Sequence, residues 1–458
     1  MKNIFRIITI EPSYFLFIIV LEWLKEIDAN LWLQKTCRLD HLIEPDLNTQ
    51  CDDEKKGLLY VTEVNSKYGS VASFLSVIIA MFAAIWSDEA GRRRRPLIFI
   101  SLFGIFLRAL SGCLNSYFWH WNPSIAVASW VTIYSTTGGI AMMLIISQTY
   151  LCDISDAEDR TMRLVLSTAV RAVGTIAGKG GFGFVLRWVG FLYFYALCLL
   201  LSVISLILAV ILIRDTSVPV EKKVRFGQMF SLRRVLLIDS FKVTFSRKLA
   251  GKRTIIVLLL VANVAINCTS VGELSVLYVY LRRRFQWDER MYSKYVFFKF
   301  SASTLGALFC SFVLSKRLKI HDGLIGILAT VCDTMAITGL LFAFENWQLY
   351  TIPVMDMFHG TVYTVSISFM SKYYDKSELG RLNAVNGAFM LLVPFSYYMY
   401  NKVLQITFDV LPSAFCLLSI VLNVTIFLCF VGSYFLSKKF ASSKPVTKEE
   451  EPMASCVK

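Results

Sequence analysis

The sequence predicts an all-α polytopic membrane protein with twelve transmembrane helices in two six-helix halves. Three observations support this class. The chain of 458 residues is 56% hydrophobic and only 17% charged, and its mean hydropathy is +0.57, which lies beyond the range of soluble globular proteins. Long apolar segments recur along the chain, and its longest polar stretch lies near the middle.

Twelve segments approach or exceed the roughly 20 apolar residues that a helix needs to cross a bilayer. The predicted spans are 10–32, 62–86, 97–118, 124–151, 163–187, 189–213, 254–281, 292–315, 322–344, 349–373, 381–407 and 411–437. In the fifth span, Gly174-x-x-x-Gly178 predicts close packing against another helix.

The polar stretch 214–253 separates six spans from six and carries eleven Lys/Arg against three acids. This layout is typical of transporters built from two parallel halves. We therefore expect an N-terminal half at 1–213, a basic cytosolic linker at 214–253, a C-terminal half at 254–437 and a cytosolic tail at 438–458.

The distribution of Lys and Arg between alternate loops predicts the orientation, with both termini in the cytosol. This bias accounts for much of the net charge of +14, so nucleic acid is not an expected partner. One loop disagrees, because Arg282, Arg283, Arg284 and Arg290 fall on the outer side. Either the other loops determine the orientation despite this one, or this loop forms a cationic vestibule for an anionic solute.

The loop after the second span contains Asp88-x-x-Gly91-Arg92-Arg93, which resembles the signature loop of major facilitator superfamily transporters. The resemblance implies the major facilitator fold, in which one half rocks against the other. Charged groups at this face predict an ion-pair gate on the cytosolic side. The candidate gate residues are Asp88, Gly91, Arg92, Arg93, Asp153, Arg160 and Arg163. The alternative is a set of membrane-surface charges without a gating role.

Further local features resemble the proton-coupled folate transporter family, solute-carrier family 46. They are Ile10-Glu11-Pro12, Trp86-Ser87-Asp88, Asp159-Arg160-Thr161-Met162-Arg163, Leu277-Tyr278 and Gln286-Trp287-Asp288. The resemblance implies proton-driven uptake of an organic anion. The family's coupling positions align with Thr168, with 267–269 and with Ile367 here, so folate itself is not the expected solute.

An ionisable side chain within a span costs about 2.5–3.5 kcal/mol on insertion scales unless it faces a cavity or a partner. Each such residue is therefore a candidate for the solute or proton pathway. In the first span Glu22 lies near mid-membrane, whereas Lys25 and Glu26 are expected to be in contact with water.

In the tenth span Asp356 and His359 are three positions apart and share one helix face. A carboxylate beside an imidazole can exchange a proton in the physiological range, because the ordinary pKa of His is about 6.5. We interpret this pair as the proton-coupling candidate, with a buried structural pair as the alternative.

Arg108 and Arg171 are candidates for binding an anion, since guanidinium groups pair with carboxylate or phosphate. For Arg108, neutralisation of a nearby acid is the favoured alternative. Glu273 and Lys299 lie at similar depth on consecutive spans, where they serve the pathway or form a structural ion pair. Polar side chains on the seventh and eleventh spans complete the pathway candidates: Asn267 and Asn386.

Cys37 and Cys51 share the first outer loop and are candidates for a disulfide if this loop faces an oxidising compartment. No enzyme motif is present, so no catalytic residue is expected. No metal or cofactor is expected either, because the four histidines are dispersed along the chain. The protein is expected to be a monomer in the plasma membrane or an endolysosomal membrane.

We conclude from the sequence that the chain is a secondary transporter of a small organic solute, with an anion favoured. Proton-coupled import by alternating access is the leading hypothesis. Two alternatives remain: a proton-driven antiporter of drugs or metabolites, and a transport-inactive receptor or scaffold. Proton-driven efflux would distinguish the first, and insensitivity to changes at Asp88 or Gly91 would distinguish the second.

Overall fold

The computed structural model describes residues 9–37, 53–155, 160–217, 219, 250–373 and 385–442. The first six helices are α1 (Glu11–Cys37), α2 (Glu54–Glu89), α3 (Arg95–Tyr117), α4 (Pro123–Thr136 and Gly139–Ile154), and α5 and α6, which share the stretch Arg160–Leu212. The second six are α7 (Ala250–Phe285), α8 (Glu289–Arg317), α9 (Asp322–Leu341), α10 (Asn346–Met355 and His359–Ser371), α11 (385–389 and Phe395–Thr407) and α12 (Phe415–Ser442).

Several of these helices are interrupted. Gly190 separates α5 from α6, with φ 77° and ψ 177°, a conformation that favours glycine. In α10 the helix stops at Met355 and resumes at His359, with Pro353 just before the break. The helix α2 contains a π-helical turn at Asn65–Gly69. The prediction of twelve helical spans in two halves is confirmed.

Eight described helical stretches are long and apolar enough by themselves to cross a bilayer, and one of them contains both α5 and α6. The others are α2, α3, α4, α7, α8, α9 and α12. The helix α1 fails this criterion because of its ionisable residues, and α10 and α11 fail because a break leaves each of them in two short pieces. These exceptions place ionisable groups and a helix break within spans.

Among the predicted boundaries that differ from the structure are two helix starts. The second helix begins at Glu54 rather than at 62, because Asp53 caps it by accepting a hydrogen bond from the Lys56 amide at 3.1 Å. The seventh begins at Ala250, inside the predicted linker. The first turn of each helix is polar, so a count of apolar residues places both helix starts too late in the chain. Most of the predicted linker lies outside the described residues.

The two halves meet through α2 with α11 and α7, and through α5 with α8. We call the end of the bundle that holds Asp88–Pro96 the motif end, and the other the closed end. One hydrophobic cluster runs through the N-terminal half and across the closed end of the C-terminal half. The motif-end part of the C-terminal half has a separate cluster. Among the described residues, the hydrophobic contacts between the halves therefore lie mainly at the closed end.

Glycines on α5 allow its close approach to both neighbours, as the sequence predicted for packing. Gly174 and Gly178 lie against α1, where an added Cβ would be 3.0 Å from the Ile18 and Glu22 side chains respectively. At Gly183 an added Cβ would be 2.0 Å from the Glu289 carbonyl oxygen of α8. This position brings the halves into backbone contact, and a larger residue there would force the two helices apart.

Candidate functional site

Five ionisable side chains lie together at mid-depth in the C-terminal half. We call Glu273, Lys299, Asp333, Asp356 and His359 the C-half charge cluster. Lys299 Nζ lies 3.3 Å from Asp356 Oδ2, and His359 Nδ1 lies 3.3 Å from Asp333 Oδ1 and 3.6 Å from Asp356 Oδ1. All three carboxylates are buried. The helices α7, α8, α9 and α10 each contribute to this cluster.

The break in α10 positions two members of the cluster. The Asp356 amide still donates to Ile352 at 2.9 Å, and the His359 amide donates to the Asp356 carbonyl at 3.0 Å. His359 Nε2 lies 2.8 Å from the Ser270 hydroxyl of α7. The imidazole is thus held between α7, α9 and α10. Gain or loss of a proton by the imidazole would therefore alter its contacts with all three helices.

The structure alters the pairing expected from the sequence. Asp356 and His359 are close, as predicted, but His359 lies nearer to Asp333 of α9. Lys299 forms an ion pair with Asp356 rather than with Glu273. Glu273 Oε1 is buried without a hydrogen bond. Asp333 was detectable by the same rule as the others, since it is an acid within a span.

Asp333, Asp356 and His359 form the one group in the described part of the chain whose ligand atoms are close enough to share a metal ion, all within 4.8 Å. The Lys299 ammonium at 3.3 Å from Asp356 opposes a second positive charge there. The arrangement therefore suits proton exchange better than a divalent cation.

Amide side chains form a second polar group in the C-terminal half, towards the motif end. Asn263 Nδ2 donates to Asn386 Oδ1 at 3.2 Å, and Asn386 Nδ2 donates to the Tyr363 hydroxyl at 3.5 Å. The candidate Asn267 donates to the Asn263 carbonyl at 2.8 Å. These contacts connect α7, α10 and α11, so the two predicted asparagines belong to one cluster.

In the N-terminal half, Lys179 of α5 bridges two acids of α1. Its Nζ lies 2.5 Å from Glu26 Oε1 and 3.4 Å from Glu22 Oε2. Lys25 also contacts Glu22 at 3.1 Å and remains partly exposed. Glu22 is buried as expected, whereas the expectation of a hydrated Glu26 is wrong. The helix continues for eleven residues beyond Glu26, and Lys179 compensates the charge.

Arg108 forms a buried ion pair with Asp28 of α1, at 2.7 Å from Nη2 and 2.9 Å from Nε. Tyr195 donates to the other carboxylate oxygen at 2.6 Å. This supports the alternative in which Arg108 neutralises a nearby acid. Asp28 was missed although it too is an acid within a span. Arg171 is exposed on α5.

At the closed end, Glu289 is 1% exposed, and its carboxylate forms hydrogen bonds and ion pairs with side chains of both halves. Asn30 of α1 donates to Oε1 at 3.0 Å, Arg187 of α5 lies 3.3 Å from Oε2, and Arg282 of α7 lies 2.5 Å from Oε1. Arg282 also forms an ion pair with Glu54 of α2. Glu289 therefore joins α8 to three other helices, two in the N-terminal half and one in its own half.

A more exposed group lies beside it. Asp409, which follows α11, is 2.8 Å from Lys55 of α2 and 3.4 Å from Arg283. The hydrogen bond from Lys55 lowers the pKa of Asp409 from its ordinary value of 3.8, and the charges of Lys55 and Arg283 add to this effect. We call both groups together the closed-end network.

The closed-end network explains the loop that disagreed with the charge bias. Arg282 and Arg283 are paired with acids of the network, and Arg284 lies over the Phe344 ring at 5.1 Å. Arg282 and Arg283 therefore join helices, which accounts for two of the four arginines, whereas Arg290 is exposed.

At the motif end, the buried cation is Arg94, whereas the prediction emphasised Arg92 and Arg93. Arg94 pairs with Asp88 and, at 2.9 Å, with Asp153. Arg92 is 3.9 Å from Asp153. Gly91 and Arg92 have φ values of 81° and 61°, so the loop turns sharply and directs Arg94 inwards.

These motif-end ion pairs connect α2, α3 and α4, which all belong to the N-terminal half. The predicted gate between halves is therefore not closed by them in this conformation. Arg163 lies in the first turn of α5, and the side chain of Arg160 lies outside the described residues. Cys37 is disulfide-bonded. Cys51 lies outside the described residues, so their pairing stays a prediction.

Two six-helix halves that enclose buried ionisable groups at mid-depth define a membrane transporter, not an enzyme. The chain belongs to the Major Facilitator Superfamily, whose family model matches residues 61–397.

Curated relatives agree with the resemblance to solute-carrier family 46. The chain is 21% identical to the probable peptidoglycan muropeptide transporter SLC46 of Drosophila melanogaster, over 78% of this chain and 70% of that protein. It is 24% identical to the lysosomal proton-coupled steroid conjugate and bile acid symporter SLC46A3 of Gallus gallus, over 83% of each chain.

Solved structures support the fold. The human organic anion transporter MFSD10 matches with a TM-score of 0.61 and 14% identity, over 95% of this chain and 99% of that chain. The nucleoside transporter NupG matches with a TM-score of 0.61 and 13% identity, over 93% and 98%.

Proposed function

We propose that this protein is a proton-coupled importer of a small organic solute, with the C-half charge cluster as its coupling site. The observation that carries the proposal is the buried contact of His359 with two carboxylates, beside Lys299. Protonation of the imidazole or of a carboxylate changes these ion pairs. Because the groups lie on four helices, a proton there can bias the packing of the C-terminal half.

Alternating access in this proposal uses the closed-end network as one gate. The network closes one end of the path in the present conformation, and its ion pairs would separate when the halves rock the other way. We place both termini, and hence the motif end, on the cytosolic side. The present conformation is then the one that faces the cytosol.

The relatives suggest the solutes to test. Muropeptides, steroid conjugates and bile acids appear in the names of the two curated relatives. A plasma-membrane or endolysosomal location fits the proposal, since one relative is named as lysosomal. An acidic compartment on the closed-end side would supply the protons.

The test is uptake of a labelled muropeptide, steroid conjugate and bile acid into cells expressing matched surface levels of each variant. At about pH 5.5, wild type should take up its solute faster than at about pH 7.4. Asp356→Asn should reduce the ratio of these rates to about one, because Lys299 and His359 lose their shared carboxylate.

Glu63→Gln is the matched control, because within the described part of the chain the ion-pair partner of Glu63 is Lys67, on the exposed side of α2. Its rate ratio should equal that of wild type. Wild-type uptake that does not depend on pH would contradict proton coupling. Acid-stimulated efflux would instead support the antiporter, and the absence of transport across the panel would favour the receptor or scaffold.

A further inference from the structure

Glu273 differs from the other two acids of the C-half charge cluster in its partners. Asp356 has Lys299 at 3.3 Å, and Asp333 has His359 at 3.3 Å. Among the described residues no Lys, Arg or His lies within ion-pair distance of Glu273. Its Oε1, like Asp356 Oδ1, is buried without a hydrogen bond, so the missing cation is what distinguishes Glu273 from the two aspartates. The residue is 9% exposed.

The groups that face Glu273 come from every helix packed around it. Charged neighbours are Asp333 of α9, Lys299 of α8 and His359 of α10. Titratable neighbours without a charge are Tyr295 of α8, Tyr400 of α11 and Cys416 of α12. Ser419 of α12, which is 2.8 Å from the Tyr400 hydroxyl, is a hydrogen-bonding neighbour.

The charge of the cluster does not balance if all three carboxylates are ionised. Lys299 supplies one positive charge and His359 at most another, so one negative charge remains. A buried charge without a partner is opposed by the loss of its hydration, and a carboxylate in that position takes up a proton. The two aspartates have cations beside them, so Glu273 is the acid that remains unbalanced.

We propose that Glu273 carries a proton at neutral pH in this conformation, in addition to the proton exchanged by Asp356 and His359. The C-terminal half then holds two exchangeable protons on two separate sites. One consequence rests on the proposed function: if the protein is a proton-coupled importer, each transport cycle moves two protons. Asp333 is the negatively charged neighbour of Glu273. Its charge repels a second negative charge and so favours the protonated form of Glu273.

Infrared difference spectroscopy on the purified full chain can detect this proton without any solute. A protonated carboxyl group has a carbonyl stretching band that an ionised one lacks, and the band shifts in deuterium oxide. Wild type should show such a band from a buried group at neutral pH. Glu273→Gln should lose it, whereas Glu63→Gln and Asp356→Asn should retain it.

A band that persists in Glu273→Gln would overturn the proposal, and so would a band that disappears in Asp356→Asn instead. Thermal unfolding provides a second measurement. Glutamine resembles a protonated glutamic acid in shape, so Glu273→Gln should unfold at nearly the wild-type temperature. Asp356→Asn should unfold at a lower temperature, because it leaves Lys299 without its partner. A larger loss in Glu273→Gln would contradict a neutral Glu273.

These measurements separate the two proposals. Uptake tests proton coupling, whereas the infrared band tests where a proton resides. If Glu273→Gln loses the band while wild-type uptake is independent of pH, the proton assignment stands and the proposed function fails. If uptake is acid-stimulated and the band persists in Glu273→Gln, the proposed function stands and the second proton site fails.

Discussion

At the scale of single residues, buried charges in this protein are matched to partners on other helices. Arg108 with Asp28 and Lys179 with Glu26 stabilise the N-terminal half, and Arg94 with Asp153 stabilises its motif end. Removing one partner from a buried pair leaves the other charge without compensation. The effect of a substitution should therefore follow burial and pairing rather than the type of charge.

Arg94→Ala should destabilise the protein by about 3 kcal/mol, because Asp153 loses its buried partner. Arg93→Ala should have little effect, since Arg93 is exposed. Unfolding in detergent measures both. An equal loss in the two variants would show that the pairing of Arg94 with Asp153 is not what stabilises this loop.

The pH dependence of uptake should not involve Asp409. The pKa of Asp409 in the folded protein is lowered from 3.8. The ion pairs of Asp409 therefore stabilise the closed-end network fully above pH 3.8, and this stabilisation is lost only as the pH falls through the lowered pKa. Asp409→Asn should therefore change uptake by the same factor at about pH 5.5 and about pH 7.4. A changed ratio of the two rates would place a pH-sensitive group in the closed-end network.

At the scale of helices, the sequence predicted those features that depend on residues close together in the chain. Apolar length located the spans, and the Asp88–Arg95 loop indicated their order. The partners of the ionisable residues were less predictable, because Lys299 meets Asp356 of another helix and Arg282 meets Glu54 of the other half. Sequence spacing reveals neighbours on one helix, whereas these pairs depend on how separate helices pack.

Gly183→Ala tests the contact between α5 and α8. The added methyl group would overlap the Glu289 carbonyl oxygen, 2.0 Å away, so the helices must separate. We expect a loss of about 1–3 kcal/mol in unfolding free energy. Gly181→Ala is the control, because the nearest atom lies 3.7 Å from its Cβ position. Equal stability of the two variants would contradict the observed approach.

At the scale of the whole molecule, the two halves share a hydrophobic cluster and a set of ion pairs at the closed end. The C-terminal half has its own cluster at the motif end. This asymmetry fits one state of a rocking transporter. In the proposed mechanism, transport requires the closed-end network to separate so that the other side of the membrane gains access to the solute.

The most direct test joins the halves across Lys55 and Asp409, which approach to 2.8 Å. In a Lys55→Cys/Asp409→Cys variant, a short thiol cross-linker should abolish uptake of the solute identified in the panel. Each single-cysteine variant treated in the same way should retain uptake. Undiminished uptake by fully cross-linked protein would show that the closed end does not open during transport, and would contradict alternating access through it.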